Sequence, residues 1–431
     1  MPQPNYIWQR DTAGLILLNE LYAAAERGVR VRLLLDDNGI AGLDRDLAAL
    51  DALANVEVRL FNPFILRSPK ALGYAFDFFR LNRRMHNKSL TADGAMSILG
   101  GRNIGDIYFG LGEGVQFIDT DVLVTGEAAT DVGSDFDRYW ASRSAYPTAR
   151  ILPQPEEGAL RQLRVDARTV VSSAEGRFYA ERLSQADIVT AIASGAVTFE
   201  WTQVELVSDD PAKGLGEAEP SDFLFPQLMK LLSRPGRSVD LVSAYFVPGR
   251  QFTDALSRLA RSGTRVRILT NSQDATDVKV VHSAYVKYRP ALLRAGAELY
   301  ELKPNFASDA EEERAGVAGS SRASLHSKTM AVDGERIFIG SFNFDPRSFA
   351  LNTEMGVLIE SPRLAGGLSQ AFETIFPVAS YRPVWSEAGA LVWNETMADG
   401  EVARHDDEPG STPVSRFVLS LLGLLPIEWL L

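Results

Sequence analysis

The chain repeats itself once, and this internal duplication constrains its fold more than any other feature of the sequence. Four segments of the first half return in the same order in the second half, each about 240 residues later. The pairs are GVRVRLLL at 28–35 with GTRVRILT at 263–270, NVEVRLFNP at 55–63 with GAELYELKP at 296–304, MHNKSLTAD at 85–93 with LHSKTMAVD at 325–333, and GRNIGD at 101–106 with GSFNFD at 340–345. A period this long excludes a solenoid, whose repeats span roughly 20–50 residues. It predicts two similar lobes that face each other across a pseudo-twofold axis.

Short apolar runs that suit β-strands alternate with stretches that suit helices. Residues 29–35, for example, form a strand-like run that follows a helical pattern over 15–27. This alternation predicts an α/β fold in which each lobe is a mixed β-sheet flanked by helices. We expect the active site at the interface between the two lobes.

The duplication and the changes in composition also suggest domain boundaries. We expect a first lobe at 1–147, a connection with extra elements at 148–220, a second lobe at 221–399, and an acidic loop with an apolar tail at 400–431. A helix and a strand are predicted before Tyr245, whereas few residues precede its counterpart Tyr6. We therefore expect the first lobe to be incomplete at its N-terminus, without its first helix and most of its first strand.

The amino-acid composition excludes several kinds of catalytic and metal-binding site. The chain has no cysteine, which excludes disulfides, thiol catalysis and Cys-rich metal sites. Four histidines in 431 residues leave little room for a His-rich metal site, so we expect neither a metal nor a cofactor. The net charge of -12 argues against a nucleic-acid partner, because such proteins usually carry a basic surface. No apolar run reaches 18 residues, so no transmembrane helix is predicted.

Two of the four histidines occur in the same pattern, His-x-Lys-x4-Asp, at matching places in the duplication. The copies are His86, Lys88 and Asp93, and His326, Lys328 and Asp333. A His and a Lys two residues apart on a strand point to the same face, so a strand from each lobe would bring two imidazoles and two ammonium groups together. The lysines would neutralise the oxygens of a phosphodiester. One imidazole would attack phosphorus, and the other would protonate the leaving alkoxide and then activate the second acceptor.

These motifs resemble the signature of the phospholipase D superfamily, and the resemblance extends over nearly the whole chain. Within the superfamily, the chain is most similar to the bacterial cardiolipin synthases of the C type. The segments that carry this similarity are YIWQRDTAG at 6–14, LLLDDNG at 33–39, FNPF at 61–64, SDDPAK at 208–213, TDVKVVH at 276–282, and 288–302. The resemblance implies two phospholipase D lobes. It assigns Asn103, Ser341 and Asn343 to the phosphate site.

The resemblance also implies a carboxylate that orients each histidine. Glu354 fits this role for one copy, and Asp119 fits it for the other, with Asp121 as the alternative. The family usually takes its nucleophile from the first motif, which makes His86 the nucleophile, but two near-equivalent motifs leave the assignment open. His282 is either a contact to the substrate or a structural residue.

The implied activity is transfer of a phosphatidyl group onto phosphatidylglycerol, which makes cardiolipin through a phosphohistidine. The donor is phosphatidylethanolamine or another phospholipid. A phospholipase D hydrolase that uses water is the alternative, followed by a phosphodiesterase on nucleic acid and by a membrane-binding protein without activity. The expected partners are therefore phospholipids and a membrane surface. We expect a peripheral protein of the bacterial cell membrane, with the membrane face and the oligomeric state undetermined.

Two segments are typical of contact with a bilayer. Residues 67–84, directly before His86, mix aromatic side chains with five basic residues, which are Arg67, Lys70, Arg80, Arg83 and Arg84. This mixture suits an anionic membrane surface, although an ordinary packed helix is the alternative. Residues 416–431 are strongly apolar but too short to span a bilayer, and Trp429 favours an interfacial position. The alternative for this tail is a helix packed onto the core.

Overall fold

A computed structural model describes residues 2–111, 114–232, 235–305, 322–397, 399–423 and 428. Strands and helices alternate along these residues, which confirms the predicted α/β fold. The strands are β1 (Pro2–Ile7), β2 (Val31–Gly39), β3 (Val56–Phe61), β4 (Ser89–Ala92), β5 (Met96–Gly100), β6 (Val115–Ile118), β7 (Asp121–Thr125), β8 (Ala145–Pro147), β9 (Val204–Ser208), β10 (Ser238–Ser243), β11 (Arg265–Asn271), β12 (Glu298–Leu302), β13 (Arg322–Leu325), β14 (Lys328–Val332), β15 (Arg336–Gly340), β16 (Met355–Glu360), β17 (Ser380–Trp385), β18 (Leu391–Thr396) and β19 (Val402–His405).

The α-helices follow the strands and cover the sheets. They are α1 (Thr12–Glu26), α2 (Asp44–Asp51), α3 (Tyr74–Leu81), α4 (Glu127–Trp140), α5 (Ala159–Val171), α6 (Ala174–Gln185), α7 (Asp187–Ser194), α8 (Leu224–Leu232), α9 (Gly249–Arg261), α10 (Lys279–Tyr285), α11 (Arg289–Arg294), α12 (Pro346–Ala350), α13 (Pro362–Thr374), α14 (Phe376–Ala379) and α15 (Pro413–Gly423). Short 3-10 helices lie at Lys70–Gly73, Asp106–Tyr108, Thr148–Arg150, Pro211–Leu215 and Pro220–Asp222. Among the helices within the described ranges, none combines the length and the apolar composition that crossing a bilayer requires.

Local sequence explains where these elements begin and which faces they bury. Helix α1 begins after Asp11, whose carboxylate accepts the N–H of Gly14 at 3.0 Å and so caps the helix. Three consecutive leucines of strand β2, residues 33–35, are buried because the strand lies between β1 and β3 in a parallel arrangement, where both faces are covered. Strand β14 is also buried along its whole length, although its neighbours β10 and β15 are antiparallel to it.

The strand order repeats between the two lobes. In the first lobe the sheets run β8-β3-β2-β1 and β4-β5-β7, with β1, β2 and β3 parallel. In the second lobe the equivalent strands run β17-β12-β11-β10-β14-β15-β16 within one ten-stranded sheet. In the second lobe, β10 pairs with β14, and this pairing joins the parallel strands and the antiparallel strands into one sheet. In the first lobe, the counterparts β1 and β4 belong to separate sheets. The duplicated segments therefore occupy matching strands of two similar lobes.

Two expectations about boundaries need correction. Strand β1 has six residues, as many as its counterpart β10, so the prediction that most of the first lobe's first strand is missing is wrong. Residues 402–405, predicted as part of an acidic loop, form β19 and pair with β18 at the edge of the large sheet. Strand β9 of the predicted connection pairs with β16 at the other edge of the same sheet.

An apolar core joins the lobes and fixes their relative position. Ala129 and Val132 of α4 pack in one buried cluster with Ile337 of β15 and Val357 of β16. Helix α4 belongs to the first lobe and these strands belong to the second. Because buried apolar surface is the main stabilising contribution in folding, this cluster holds the two copies of the motif at a set distance from each other.

Candidate active site

The two His-x-Lys motifs lie at the lobe interface, where each is hydrogen-bonded to the backbone of the other lobe. The N–H of His86 donates to the carbonyl of Thr353 at 2.8 Å, and the N–H of His326 donates to the carbonyl of Ile118 at 2.8 Å. Strand β13, directly before His326, pairs in parallel with β6 of the first lobe. Each catalytic segment is thus fixed by strand-like contacts across the interface.

Each histidine takes its carboxylate from the opposite lobe. The Nδ1 atom of His86 lies 2.8 Å from Oε2 of Glu354, and Nδ1 of His326 lies 2.6 Å from Oδ2 of Asp119. Both carboxylates are fully buried. Asp121, the alternative to Asp119, instead binds Nε of Arg102 at 2.6 Å. A carboxylate on Nδ1 fixes the tautomer that leaves Nε2 available for chemistry.

The two lysines of the motifs share the buried interface with the imidazoles. The Nζ atom of Lys88 donates to the carbonyl of His86 at 2.6 Å, and Nζ of Lys328 donates to the carbonyl of His326. Burial lowers the pKa of both ammonium groups, and the charge of Lys328 lowers that of Lys88 further. The two ammonium groups therefore lie where they can bind the oxygens of an anionic group such as a phosphodiester.

Both imidazoles are neutral at neutral pH when no anion occupies the site. Burial lowers the pKa of His86 well below its ordinary value, and the charges of Lys88 and Lys328 add to this effect. Burial and the charge of Lys328 lower the pKa of His326 to about 3, although Asp119 opposes them. A neutral imidazole is the nucleophilic form. A bound phosphodiester would raise both pKa values, because its negative charge offsets the lysines.

The two carboxylates differ in their surroundings. Burial would raise the pKa of Asp119, but His326 and Lys328 outweigh it and the pKa is lowered. Burial raises the pKa of Glu354 despite the nearby charge of Lys88 and the hydrogen bond from Ser341. Two hydroxyls donate to Glu354, from Ser341 at 2.5 Å and from Ser348 at 2.9 Å, so it remains an acceptor.

The residues expected to bind phosphate lie in equivalent places of the two lobes. Asn103 and Asn343 are both buried, and the side-chain oxygen of each has no hydrogen-bond partner among the described residues. A buried amide atom without a partner is costly, and rotation of the amide by 180° would present its NH2 to a phosphate oxygen. Ser341 is already engaged, because its hydroxyl donates to Glu354 and accepts the N–H of Met355 at 3.0 Å.

The aspartates that end the two motifs lie away from the imidazoles. Asp93 and Asp333 occupy the turns after β4 and β14 with positive φ values of 55° and 57°. Four residues lie between each aspartate and the lysine of its motif, so the five steps along the strand place the two roughly 16 Å apart. The Asp333 carboxylate accepts the backbone N–H groups of residues 236–238 at 2.7–3.0 Å. The expectation that Asp93 and Asp333 are catalytic is therefore corrected, because the structure places both in turns.

His282 is also placed outside this cluster. Its Nε2 lies 2.7 Å from Oε1 of Glu408, which also binds Arg289 at 2.9 Å. The ring is buried in this network between α10 and the segment that precedes α15. Of the two expectations for His282, the structure supports the structural role.

A buried ion pair behind Glu354 is a feature that the motif pattern did not reveal. Oδ2 of Asp209 accepts the N–H of Glu354 at 2.8 Å and lies 2.9 Å from Nζ of Lys213. Lys213 also donates to the carbonyl of Ser348 at 3.0 Å. Burial raises the pKa of Asp209 to about 6. Both residues belong to the segment SDDPAK, which carries part of the family resemblance. That resemblance is the one feature of the sequence that points to Asp209 and Lys213.

Aspartate 345 and two tyrosines complete the surroundings of the histidines. Asp345 caps α12 by accepting the N–H of Ser348 at 2.7 Å, and burial together with the charge of Glu354 raises its pKa to about 7. The ring of Tyr6 contacts His86 edge-on with centroids 4.8 Å apart, and Tyr108 contacts His326 at 5.1 Å. Within the described residues, no group of three or more His, Asp or Glu side chains is arranged to hold a metal ion.

The basic segment before His86 is less available to a bilayer than expected. Four of its five basic residues are paired with aspartates: Arg67 with Asp37 and Asp44, Lys70 with Asp37, Arg80 with Asp77, and Arg84 with Asp36. What the segment exposes is apolar, since Phe76 is 89% exposed and Phe79 is 73% exposed. Of the tail at 416–431, only 416–423 and 428 lie within the described residues.

Comparisons with known proteins agree with this geometry. A family model described as cardiolipin synthase, PLD-like domain, matches residues 8–140 and 228–376. The chain is 44% identical to cardiolipin synthase C of Escherichia coli (strain K12) over 430 residues, 99% of this chain and 90% of that protein. It is 27% identical to a cardiolipin synthase of Staphylococcus aureus (strain Mu50) over 385 residues, 87% of this chain and 62% of that protein.

A solved structure extends the comparison to the fold. Phosphatidylserine synthase of Haemophilus influenzae Rd KW20 superposes with a TM-score of 0.60 at 15% identity, over 100% of this chain and 89% of that chain. At this identity the likeness concerns the fold alone. The two motifs at the lobe interface, the family match and the near full-length identity lead to one conclusion. The chain is an enzyme that belongs to the cardiolipin synthase family with phospholipase D-like domains.

Proposed function

We propose that this enzyme transfers a phosphatidyl group from one phospholipid to phosphatidylglycerol and so makes cardiolipin. The observation that carries the proposal is the pair of buried imidazole–carboxylate contacts that flank two buried lysines at the lobe interface. The name of the Escherichia coli relative, cardiolipin synthase C, supports the same activity.

In the first step, Nε2 of neutral His86 attacks the phosphorus of the donor and forms an N–P bond. Glu354 stabilises the positive charge that develops on the ring through its contact with Nδ1. Lys88 and Lys328 bind the non-bridging oxygens, where charge develops in the transition state. The P–O bond to the donor headgroup breaks, and His326, protonated once the anion is bound, gives its proton to the leaving oxygen.

In the second step, His326 acts as a base. It takes the proton from a hydroxyl of phosphatidylglycerol, and that oxygen attacks the phosphohistidine. The N–P bond breaks, cardiolipin leaves, and His86 returns to its neutral form. Water in place of the lipid hydroxyl would give phosphatidic acid, so access of water decides between transferase and hydrolase.

The donor is proposed to be phosphatidylethanolamine or another phospholipid that lies in the same bilayer. The test is incubation with vesicles of phosphatidylethanolamine and phosphatidylglycerol, with the lipid products identified by mass spectrometry. Cardiolipin is the expected product, and phosphatidic acid without cardiolipin would favour the hydrolase. The variants His86→Asn and His326→Asn are each expected to be inactive, while His405→Asn, outside the site, is the matched control.

We propose that the enzyme binds the bilayer as a peripheral protein through the exposed aromatic side chains of α3. Phe76 and Phe79 lie within ten residues of His86, and aromatic rings are favoured at the lipid–water boundary. The double variant Phe76→Ser/Phe79→Ser is expected to co-sediment less with vesicles. Trp201→Ser, which removes a side chain that is 80% exposed elsewhere, is the control. Equal sedimentation of the double variant and the wild type would contradict this assignment.

A further inference from the structure

An apolar cavity lies in the second lobe, outside the cluster of catalytic groups. It has a volume of about 590 Å3, opens to the surface, and is lined by α8, α9, α12 and strands β10 and β14. This volume is within the range of small-molecule sites, roughly 300–1,000 Å3. Its wall is formed by hydrophobic side chains, among them Phe225, Met229, Phe252, Leu256, Met330 and Phe349.

Strand β14 links the wall of the cavity to the active site. This strand begins at Lys328, and Met330 and Val332, which line the cavity, follow at alternate positions. Alternate residues of a strand share a face, so these side chains lie on the Lys328 face of the sheet. At about 3.3 Å per residue they are roughly 7 and 13 Å along the strand from Lys328.

Helix α12 provides a second connection. Pro346 and Phe349 of this helix line the cavity, while Ser348 of the same helix donates to Glu354 at 2.9 Å. The helix therefore has one side at the carboxylate that orients His86 and another side at the cavity. Helix α12 thus connects the carboxylate behind His86 to the wall of the cavity.

The chemistry of the wall restricts what can bind. Arg250 is the one charged side chain that the described residues contribute to it. A lipid headgroup or a free phosphate needs several donors or cations, which this wall does not provide. A hydrocarbon chain has no polar group to satisfy and gains from transfer into an apolar space.

We infer that this cavity receives one acyl chain of the phospholipid whose phosphate is bound at His86 and His326. The inference rests on the proposed function, because it names how the lipid substrate of that same site is held. The chain leaves the glycerol beside Lys328 and runs along β14 toward Val332. The enzyme thus selects a substrate partly by its apolar length and not by the headgroup alone.

Photo-crosslinking tests the position of the chain without requiring turnover. The probe is phosphatidylglycerol that carries a diazirine near the end of one acyl chain, presented in vesicles to the full-length wild-type enzyme. Labelled peptides from 225–232 or 249–261 are the expected result. Labelling confined to other segments, for example to the exposed helix α3, would overturn the inference. This readout remains valid even if the enzyme makes phosphatidic acid instead of cardiolipin.

A variant that fills the cavity tests its effect on the reaction. Ala255 lies in the wall on α9, and Ala255→Phe adds a ring that occupies the space of several methylene groups. We expect kcat/KM to fall about tenfold or more with sixteen-carbon chains and to change less than about twofold with six-carbon chains. Ala180→Phe, at an exposed position of α6, is the matched control. An equal loss with both chain lengths would refute the acyl-chain assignment.

Discussion

The buried pair of Asp209 and Lys213 is expected to behave as one unit when it is mutated. Lys213 is 1% exposed and Asp209 is fully buried, so removal of either charge leaves the other without compensation in the interior. Such a loss typically costs about 3–5 kcal/mol. We therefore expect Lys213→Met and Asp209→Asn each to lower the free energy of unfolding by that amount. The double variant should lose markedly less than the sum of the two.

The loss of stability caused by Lys213→Met is expected to depend on pH. Burial already raises the pKa of Asp209 to about 6 with Lys213 present. In the Lys213→Met variant the cation is absent and the pKa of Asp209 rises further. The Asp209 carboxyl of the folded variant therefore binds a proton at pH values at which the same carboxyl of the unfolded chain is ionised. Folding is then favoured by acid. The cost of Lys213→Met is therefore expected to be smaller at pH 5 than at pH 8.

A double-mutant cycle measures both the coupling of the pair and its pH dependence. The free energy of unfolding is determined in denaturant at pH 5 and pH 8 for the wild type, both single variants and the double variant. The same variants should lose kcat, because Asp209 and Lys213 hold Glu354 and Ser348, and Glu354 orients His86. Additive single costs that do not change with pH would refute the reasoning, since they would mean that the pair is not coupled.

Three further predictions concern single carboxylates. Asp345→Asn keeps an oxygen that caps α12 but removes a group whose pKa is raised to about 7. The wild type is therefore expected to gain up to about 3 kcal/mol of unfolding free energy relative to this variant as the pH falls from 8 to 5. A difference in unfolding free energy that is constant with pH would contradict this. Asp119→Asn should lower kcat by roughly 10^3- to 10^4-fold through loss of the His326 tautomer, whereas Asp121→Asn, which disturbs only the contact with Arg102, should retain most activity in the vesicle assay. Asp333→Ala should cost about 1–3 kcal/mol in denaturant unfolding by leaving backbone N–H groups without an acceptor and should leave kcat nearly unchanged; a large loss of kcat in a folded variant would restore a catalytic role for this residue.

The duplication made the overall architecture predictable because paired segments of the same pattern have to form the same strands. The His86 and His326 motifs were visible for the same reason, since each combines rare residue types at a fixed spacing. Glu354 and Asp119 required the family resemblance, because a single carboxylate at the end of a strand has no distinctive spacing. The structure then added that each of them contacts the histidine of the other lobe.

Other features depended on contacts between distant segments, which no local pattern records. Asp333 follows the motif in the sequence, yet its carboxylate binds the backbone at 236–238 because the strand carries it to the far end of the sheet. Four of the five basic residues of 67–84 are paired with aspartates, among them Asp36 and Asp37 of β2, so their charge is not displayed as predicted. Lys213 looks like a surface lysine in the sequence and becomes buried only when residues 208–213 close against Glu354.

The exchange of carboxylates between the lobes makes the integrity of the interface a condition for both halves of the reaction. If the lobes separate by even a few ångströms, His86 loses Glu354 and His326 loses Asp119 in the same event. Neither lobe retains a complete His–carboxylate pair by itself, so a fragment that contains one lobe is inert however well it folds. The fraction of active molecules therefore equals the fraction in which the lobes are docked, and reactive histidines are never assembled on a half-folded chain.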